Sequence, residues 1–150
     1  MPVHIVRRTL AAPAGRVFDV LHDYDRRLAW DTLLSAAWVE PGWDRAGMGV
    51  ETVCQGRASL GRIALKTRYV SFKPGDVAAV VMLNRPPFFE RWAASIRHVD
   101  LGAGRSDVIY TFNFVARPAW LRWLLHPVMG QLFAWETRKR LDALERYLRG

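Results

Sequence analysis

The sequence predicts an α+β fold in which a curved, seven-stranded antiparallel sheet wraps one long C-terminal helix, with two short helices between the first and second strands. Three observations carry that prediction. Over residues 127–149, Gly130, Phe133, Ala134, Thr137, Leu141, Leu144 and Leu148 recur at three- and four-residue spacing, one stripe of an α-helix. Over residues 34–116 the apolar side chains alternate instead, in runs parted by short turn signals. Ahead of them, a β-rich run at residues 4–10 precedes two helical patterns too short to stand alone.

Taken in order, residues 4–10 form the first strand and Ala11-Ala12-Pro13 punctuates it. Val17, Val20, Leu21 and Tyr24 then sit at helical spacing behind Pro13. Asp23-Tyr24-Asp25 closes that helix, and residues 26–30 read as the second. Strands follow at 34–40, 48–56, 63–72, 77–83, 90–100 and 107–116. Their separators are Pro41-Gly42, the stretch 56–61, Lys73-Pro74-Gly75-Asp76, Arg85-Pro86-Pro87 and Gly102-Ala103-Gly104. Connections this short join neighbours, so the sheet is an antiparallel meander. Pro127 suits the first position of the last helix. Small Gly130 and Thr137 early in the stripe, and leucines later, describe a rod that closes the core at one end and leaves space at the other. Arg138, Lys139, Asp142, Glu145, Arg146 and Arg149 make its solvated side.

At 150 residues, 51 % of them hydrophobic, residues 1–150 have the length of one domain and the side chains for a true core. The opening residues lack the apolar run of a signal peptide. The most apolar window, 120–129, is broken by Arg122, His126 and Pro127 and is too short to cross a bilayer. A lone cysteine, Cys54, makes no internal disulfide and fits a reducing compartment, so the expected location is the cytoplasm. The formal charge of +8 implies attraction to anionic surfaces or ligands. The arginines are scattered and no nucleic-acid module accompanies them, so nucleic acid is not an expected partner. Nothing in the sequence sets an oligomeric state.

Two stretches carry a family likeness. Ala12-Pro13-Ala14-Gly15-Arg16-Val17-Phe18-Asp19-Val20-Leu21, followed by Asp23-Tyr24-Asp25 and Trp30-Asp31, resembles the opening signature of the START-like (SRPBCC) superfamily, which includes the polyketide cyclase/dehydrase and lipid-transport proteins. Arg138-Lys139-Arg140-Leu141-Asp142-Ala143-Leu144-Glu145-Arg146-Tyr147-Leu148 is similar to that family's terminal helix. With the strand order between them, the resemblance spans essentially the whole chain. It implies a helix-grip fold with a hydrophobic cavity between sheet and last helix. It implies no single activity, because the family holds carriers, cyclases, hydratases and interaction modules.

Strand parity nominates the walls of such a cavity. Val108, Tyr110, Phe112 and Phe114 share one face of the last strand, Trp92, Ala94 and Ile96 one face of the strand before, and Ile63, Leu65, Thr67 and Tyr69 a third. Over residues 77–83 both faces are apolar and parity does not choose. Trp30, Leu34, Trp38 and Cys54 complete the expected wall, with Gly130, Phe133 and Thr137 opposite them on the helix. Small Ala94, Thr67, Gly130 and Thr137 among large rings favour an open interior. Tyr69, Tyr110 and Thr67 are the expected polar contacts, whereas His98, near a turn, is expected at the surface.

Alternate loops of a meander gather at one end, so those around residues 56–61, 84–89 and 116–123 should be neighbours. Phe88, Phe89, Trp120 and Trp123 are the expected mouth, with Pro86, Pro87, Leu121 and Leu124 beside them. Arg57, Arg62, Arg85, Arg91, Arg117 and Arg122 stand around, and Val128, Leu132 and Trp135 extend the apolar surface along the helix. Rings flanked by cations suit a water–lipid interface, so peripheral contact with an anionic membrane is a further expectation.

Little points to catalysis. His4, His22, His98 and His126 have no ligand spacing, and neither a metal nor another cofactor is expected. Gly47-Met48-Gly49 begins like a dinucleotide loop, but Thr52 stands where the third glycine belongs and strands flank it. Cys54 lies mid-strand with no base marked for it. No pair of carboxylates shares an inward face. The expected function is binding or transport of a hydrophobic small molecule or lipid in the cavity, with no catalytic residue assigned. A polyketide aromatase/cyclase is the enzymatic alternative, orienting a reactive chain with Tyr69, Tyr110 and Thr67 as donors. Two others are an interaction module with a filled core and a coenzyme Q-binding relative, although Leu28-Ala29-Trp30-Asp31 lacks the Pro-Trp-Cys pattern of that branch.

Overall fold

The alternation in the sequence becomes the two faces of one sheet. A computed structural model describes residues 3–57 and 63–149. The chain runs β1 (Val3–Leu10), α1 (Ala14–Leu21), α2 (Arg27–Trp30), β2 (Leu34–Val39), β3 (Glu51–Gly56), β4 (Ala64–Lys73), β5 (Val77–Met82), β6 (Phe89–Gly102), β7 (Arg105–Ala116), one 3₁₀ turn (Ala119–Leu121) and α3 (Arg122–Arg149). The seven strands form one antiparallel sheet in the order β1-β7-β6-β5-β4-β3-β2. Consecutive strands pair throughout, except that β1 joins the far edge beside β7. The sheet curls and α3 lies in its grip, a helix-grip fold.

Register stacks the inward residues of successive strands. Phe112 stands beside Ala94 and Tyr110 beside Ile96. Ala94 is in turn level with Val80, and Val80 with Tyr69. That sequence of partners resolves the two-faced β5: Ala78 is buried, and it and Val80 turn inward. A register shift between Tyr69 and Ser71 reverses the parity of β4, so Phe72 lies on the same side as Tyr69 and meets the edge of Phe18.

The leucine half of α3 closes one end of the core. Leu141, Leu144 and Leu148 pack with Val6 and Leu10 of β1, Val17 and Leu21 of α1, and Val108 of β7. Gly130 lets the helix approach β1: any Cβ there would run into the ring of His4, which stacks on Phe112 at 5.0 Å. The helix begins at Arg122, before the expected start at Pro127. Pro127 withholds a hydrogen bond only from the carbonyl of Trp123, in the exposed first turn, where losing one costs least. His98, expected outside, is 4 % exposed, because β6 continues beyond it to Gly102 and carries its ring over Phe18.

Candidate functional site

The uneven bulk of α3 leaves a cavity of about 400 Å³ between its N-terminal part and the sheet. The sheet contributes Leu34, Cys54, Gly56, Leu65, Thr67, Tyr69, Ala78, Val80, Phe89, Trp92, Ala94, Ile96, Tyr110 and Phe112, with Ile63 just ahead of β4. Leu125, Met129, Leu132, Phe133, Thr137 and Arg140 form the helical wall. Leu21, His22, Tyr24, Arg27 and Leu33, around the two short helices, complete it.

Most of the residues nominated from the sequence stand on this wall. Trp30, Trp38, Val108, Phe114 and Gly130 do not. Trp30 is buried beneath Arg27, whose guanidinium lies 5.3 Å from its ring centre. Trp38 is 43 % exposed and donates from Nε1 to Glu40 at 2.8 Å. A register shift between Leu34 and Ala36 explains it, since parity reverses after Leu34 and the indole turns out. Phe114 has inward parity but is sealed behind the wall by His126 and Phe133, with ring centres at 5.5 and 6.4 Å. Gly130 faces His4. Phe89, expected at the mouth, is 1 % exposed and packs on Phe133 as interior wall.

The polar groups gather in two linked sets. The Tyr69 hydroxyl lies 2.7 Å from His22 Nδ1 and 3.1 Å from the Tyr24 hydroxyl. Tyr24 donates to Thr52 at 3.2 Å, and the Thr52 and Thr67 hydroxyls are 3.0 Å apart. Beside them, Arg27 Nε donates to Asp31 Oδ2 at 2.8 Å, and Arg140 Nη2 donates to the same oxygen at 3.0 Å. The Arg27 guanidinium sits 5.5 Å from the Tyr24 ring, and that of Arg140 5.8 Å from the Tyr110 ring.

Burial, with Arg27 and His98 nearby, holds the His22 imidazole well below its usual pKa and keeps it neutral. Burial raises Tyr69 and Tyr24, which remain phenols, and raises Cys54, which remains a thiol. For Asp31 burial pushes upward, but Arg140 and Arg27 outweigh it and hold the carboxyl below its ordinary value. The site therefore offers hydrogen-bond donors to an acceptor oxygen, while its carboxylate is held between two guanidiniums and not free to act as a base. Among the described residues no cluster of three His, Cys, Asp or Glu could hold a metal.

Sequence reasoning missed Arg27, Arg140, His22 and Tyr24. One signal was present: Arg140 follows Thr137 by three and Phe133 by seven, on the stripe that faces the cavity. Its charge disguised it. Arg27 and Asp31 likewise form an i, i+4 pair around Trp30.

At the other end Phe88, 52 % exposed, and Leu132, 38 % exposed, both line the cavity, so it reaches the surface between them. Trp120 and Trp123 beside that opening are 75 % and 74 % exposed. Two of the loops expected to meet do so: Arg117 N donates to Phe88 O at 3.0 Å, and its Nη2 to Arg85 O at 2.7 Å. The third loop and Arg62 lie outside the described residues, and Arg57 pairs with buried Glu136 of α3 at 3.8 Å. No helix among the described residues is long and apolar enough to cross a membrane.

No curated protein matches the sequence. Solved structures do match the fold. A START superfamily protein from Mycobacterium smegmatis is 11 % identical, with 98 % of this chain and 97 % of that one covered and a TM-score of 0.82. A protein from Thermus thermophilus is 15 % identical over 97 % and 95 %, with a TM-score of 0.80. The Zhui aromatase/cyclase from Streptomyces sp. R1128 is 20 % identical over 97 % and 93 %, with a TM-score of 0.76. At such identities the likeness is one of fold. The sequence itself goes further: residues 3–149 match the family model described as polyketide cyclase/dehydrase and lipid transport, and the chain belongs to that family.

Proposed function

We propose that the protein binds an apolar small molecule or lipid between the sheet and α3, and holds or carries it without altering it. The observation that supports this is the cavity itself: about 400 Å³, walled mainly by Leu, Ile, Val and aromatic side chains. That size falls in the range of small-molecule sites. A space so lined is a poor home for water, which needs two to four polar partners at each position. A hydrocarbon gains from the same walls by burial. Native mass spectrometry of protein purified from its own host, with extraction and identification of what is bound, tests the reading. A stoichiometric lipid-like compound is the expected result. Protein that emerges empty and takes up no apolar fluorescent probe would defeat it.

In the same reading, the open end docks on an anionic membrane. Trp120, Trp123, Leu124, Val128 and Trp135 are all exposed and run on from Phe88 and Leu132 at the opening. Exposed Arg85 and Arg91, with part-buried Arg117 and Arg122, supply cations for acidic headgroups. A ligand could then pass from bilayer to cavity without crossing water. Sedimentation with vesicles containing phosphatidylglycerol should pull the protein down. Binding that is absent, or that survives Trp120→Ser with Trp123→Ser, ends the docking idea.

One observation favours an enzymatic reading as well. His22, Tyr69 and Tyr24 form a hydrogen-bonded series, and all three line the cavity. Neutral phenols beside a neutral imidazole could polarise a ketone and pass a proton during ring closure with loss of water. Incubation with a poly-ketone chain separates the two readings: cyclised product marks an enzyme, and unchanged bound chain marks a carrier.

A further inference from the structure

The cationic end of the cavity narrows the class of ligand. Arg27 is 5 % exposed and Asp31 3 %, and the Arg140 side chain is 11 % exposed. Two guanidiniums are thus buried with one carboxylate. Among the described residues, Asp31 is the only carboxylate paired with either. The remaining groups close to them, Tyr24, Tyr69, Tyr110 and Cys54, are phenols and a thiol and include no second carboxylate. A surplus positive charge therefore sits at the cavity wall.

Hydrogen bonding shows the same shortage of acceptors. Arg27 donates from Nε to Asp31 and from Nη1 to Leu21 O at 3.3 Å. Arg140 donates from Nε and Nη2, both to Asp31. Neither Arg27 Nη2 nor Arg140 Nη1 has an acceptor among the described residues, and both side chains line the cavity. Two buried guanidiniums that share a single carboxylate are only half neutralised, so this is a place for an incoming anion. Flanking contacts with Tyr24, Trp30 and Tyr110 hold both planes in position beforehand, which lowers the cost of ordering them around a ligand. The site is also deep. Arg140 lies eight residues beyond Leu132 on α3, about 12 Å along the helix from the opening.

We infer that the occupant is amphipathic, with an anionic oxygen head such as a carboxylate seated against Arg27 and Arg140 and an apolar body running back toward Phe88 and Leu132. This rests on the reading of the cavity as a binding site and adds a charge requirement to it. Titration of the full chain at pH 8 with decanoate, decanol and decylammonium, each below its micelle concentration, tests it. Decanoate should bind roughly tenfold or more tightly than decanol, with decylammonium weakest. Arg140→Met should remove most of that preference, read as the ratio of decanoate to decanol affinity within the same variant. The comparison of the three chains needs only the unaltered protein, so it stands even if the variant does not fold. Equal affinity for decanoate and decanol overturns the charge requirement and leaves cavity binding intact. A carboxylate preference that survives Arg140→Met in a folded variant places the anion elsewhere and also overturns it. Failure of all three chains to bind removes the underlying reading, and the inference with it.

Discussion

Phe88 holds a backbone conformation that a bulky side chain rarely adopts, with φ of 72°. Phe89 N donates to Pro86 O, and Arg117 N to Phe88 O, and these bonds fix it there. Strain of this kind costs of order 1–3 kcal/mol and collects at functional positions, here the rim of the cavity. Phe88→Gly should therefore raise stability in urea by about 1 kcal/mol while weakening uptake of an apolar ligand. Loss of both stability and binding would show that the ring is ordinary packing. His22 and His98 make a second prediction at this scale. Burial lowers His98 to about 4, with Asp76 opposing, and lowers His22 well below the usual value, with Arg27 and His98 assisting. The unfolded chain takes up protons near pH 6.5 that the native state refuses. Stability is thus complete above about pH 6.5 and falls as pH drops toward 4, by about 3 kcal/mol through His98 alone. Asp31 acts in a separate window, because its folded pKa is depressed and its contribution disappears only at still lower pH. Urea midpoints at pH 7.5 and 5 check the sign, and His98→Leu should flatten the slope.

Among elements, the decisive contact is α3 against β1. The helical stripe was legible as a period, and so was its division into a small half and a leucine half. What the period could not say is which small residue faces a void and which a neighbour. Thr137 faces the void, and Gly130 faces His4. The difference lies in a partner 126 positions away in the chain, beyond the reach of local pattern. Gly130→Ala gains helix propensity of about 1 kcal/mol but drives a methyl into a ring wedged on Phe112, so a net loss of roughly 1 kcal/mol is expected, and more for Gly130→Val. Adding His4→Ala to Gly130→Ala should recover part of that loss, a coupling that a double-mutant cycle in urea would measure. Additive costs would mean that the glycine serves some other purpose. The strands show the same limit. Parity placed Tyr110, Phe112, Trp92 and Ala94 on the inner face, but bulges in β2 and β4 inverted Trp38 and Phe72, and a one-residue shift leaves no mark in composition.

For the whole molecule, element order alone was enough to foresee a sheet gripping a helix, because short connections permit few topologies. The polar end was not foreseen, since charged residues read as solvent-facing until two distant segments bring Arg27 and Asp31 together with Arg140. The interior that results is underfilled by design of its parts: large rings surround small side chains, and the lining lacks contact partners on one side. That arrangement makes a prediction which separates a binding cavity from a tolerated packing fault. Ala94 lies on the wall, level with Phe112 and Val80, and a larger side chain there projects into free space. Ala94→Trp should leave the empty protein at least as stable as before, because the added ring finds contacts without displacing any. The unaltered protein should gain about 2.7 kcal/mol from an apolar ligand at a hundred times its Kd, and the filled variant should gain almost nothing. Thermal melts with and without ligand read both numbers. If the variant unfolds, the walls are closer than the cavity implies. If it folds and still responds to ligand like the unaltered chain, the occupied site is somewhere other than between the sheet and α3.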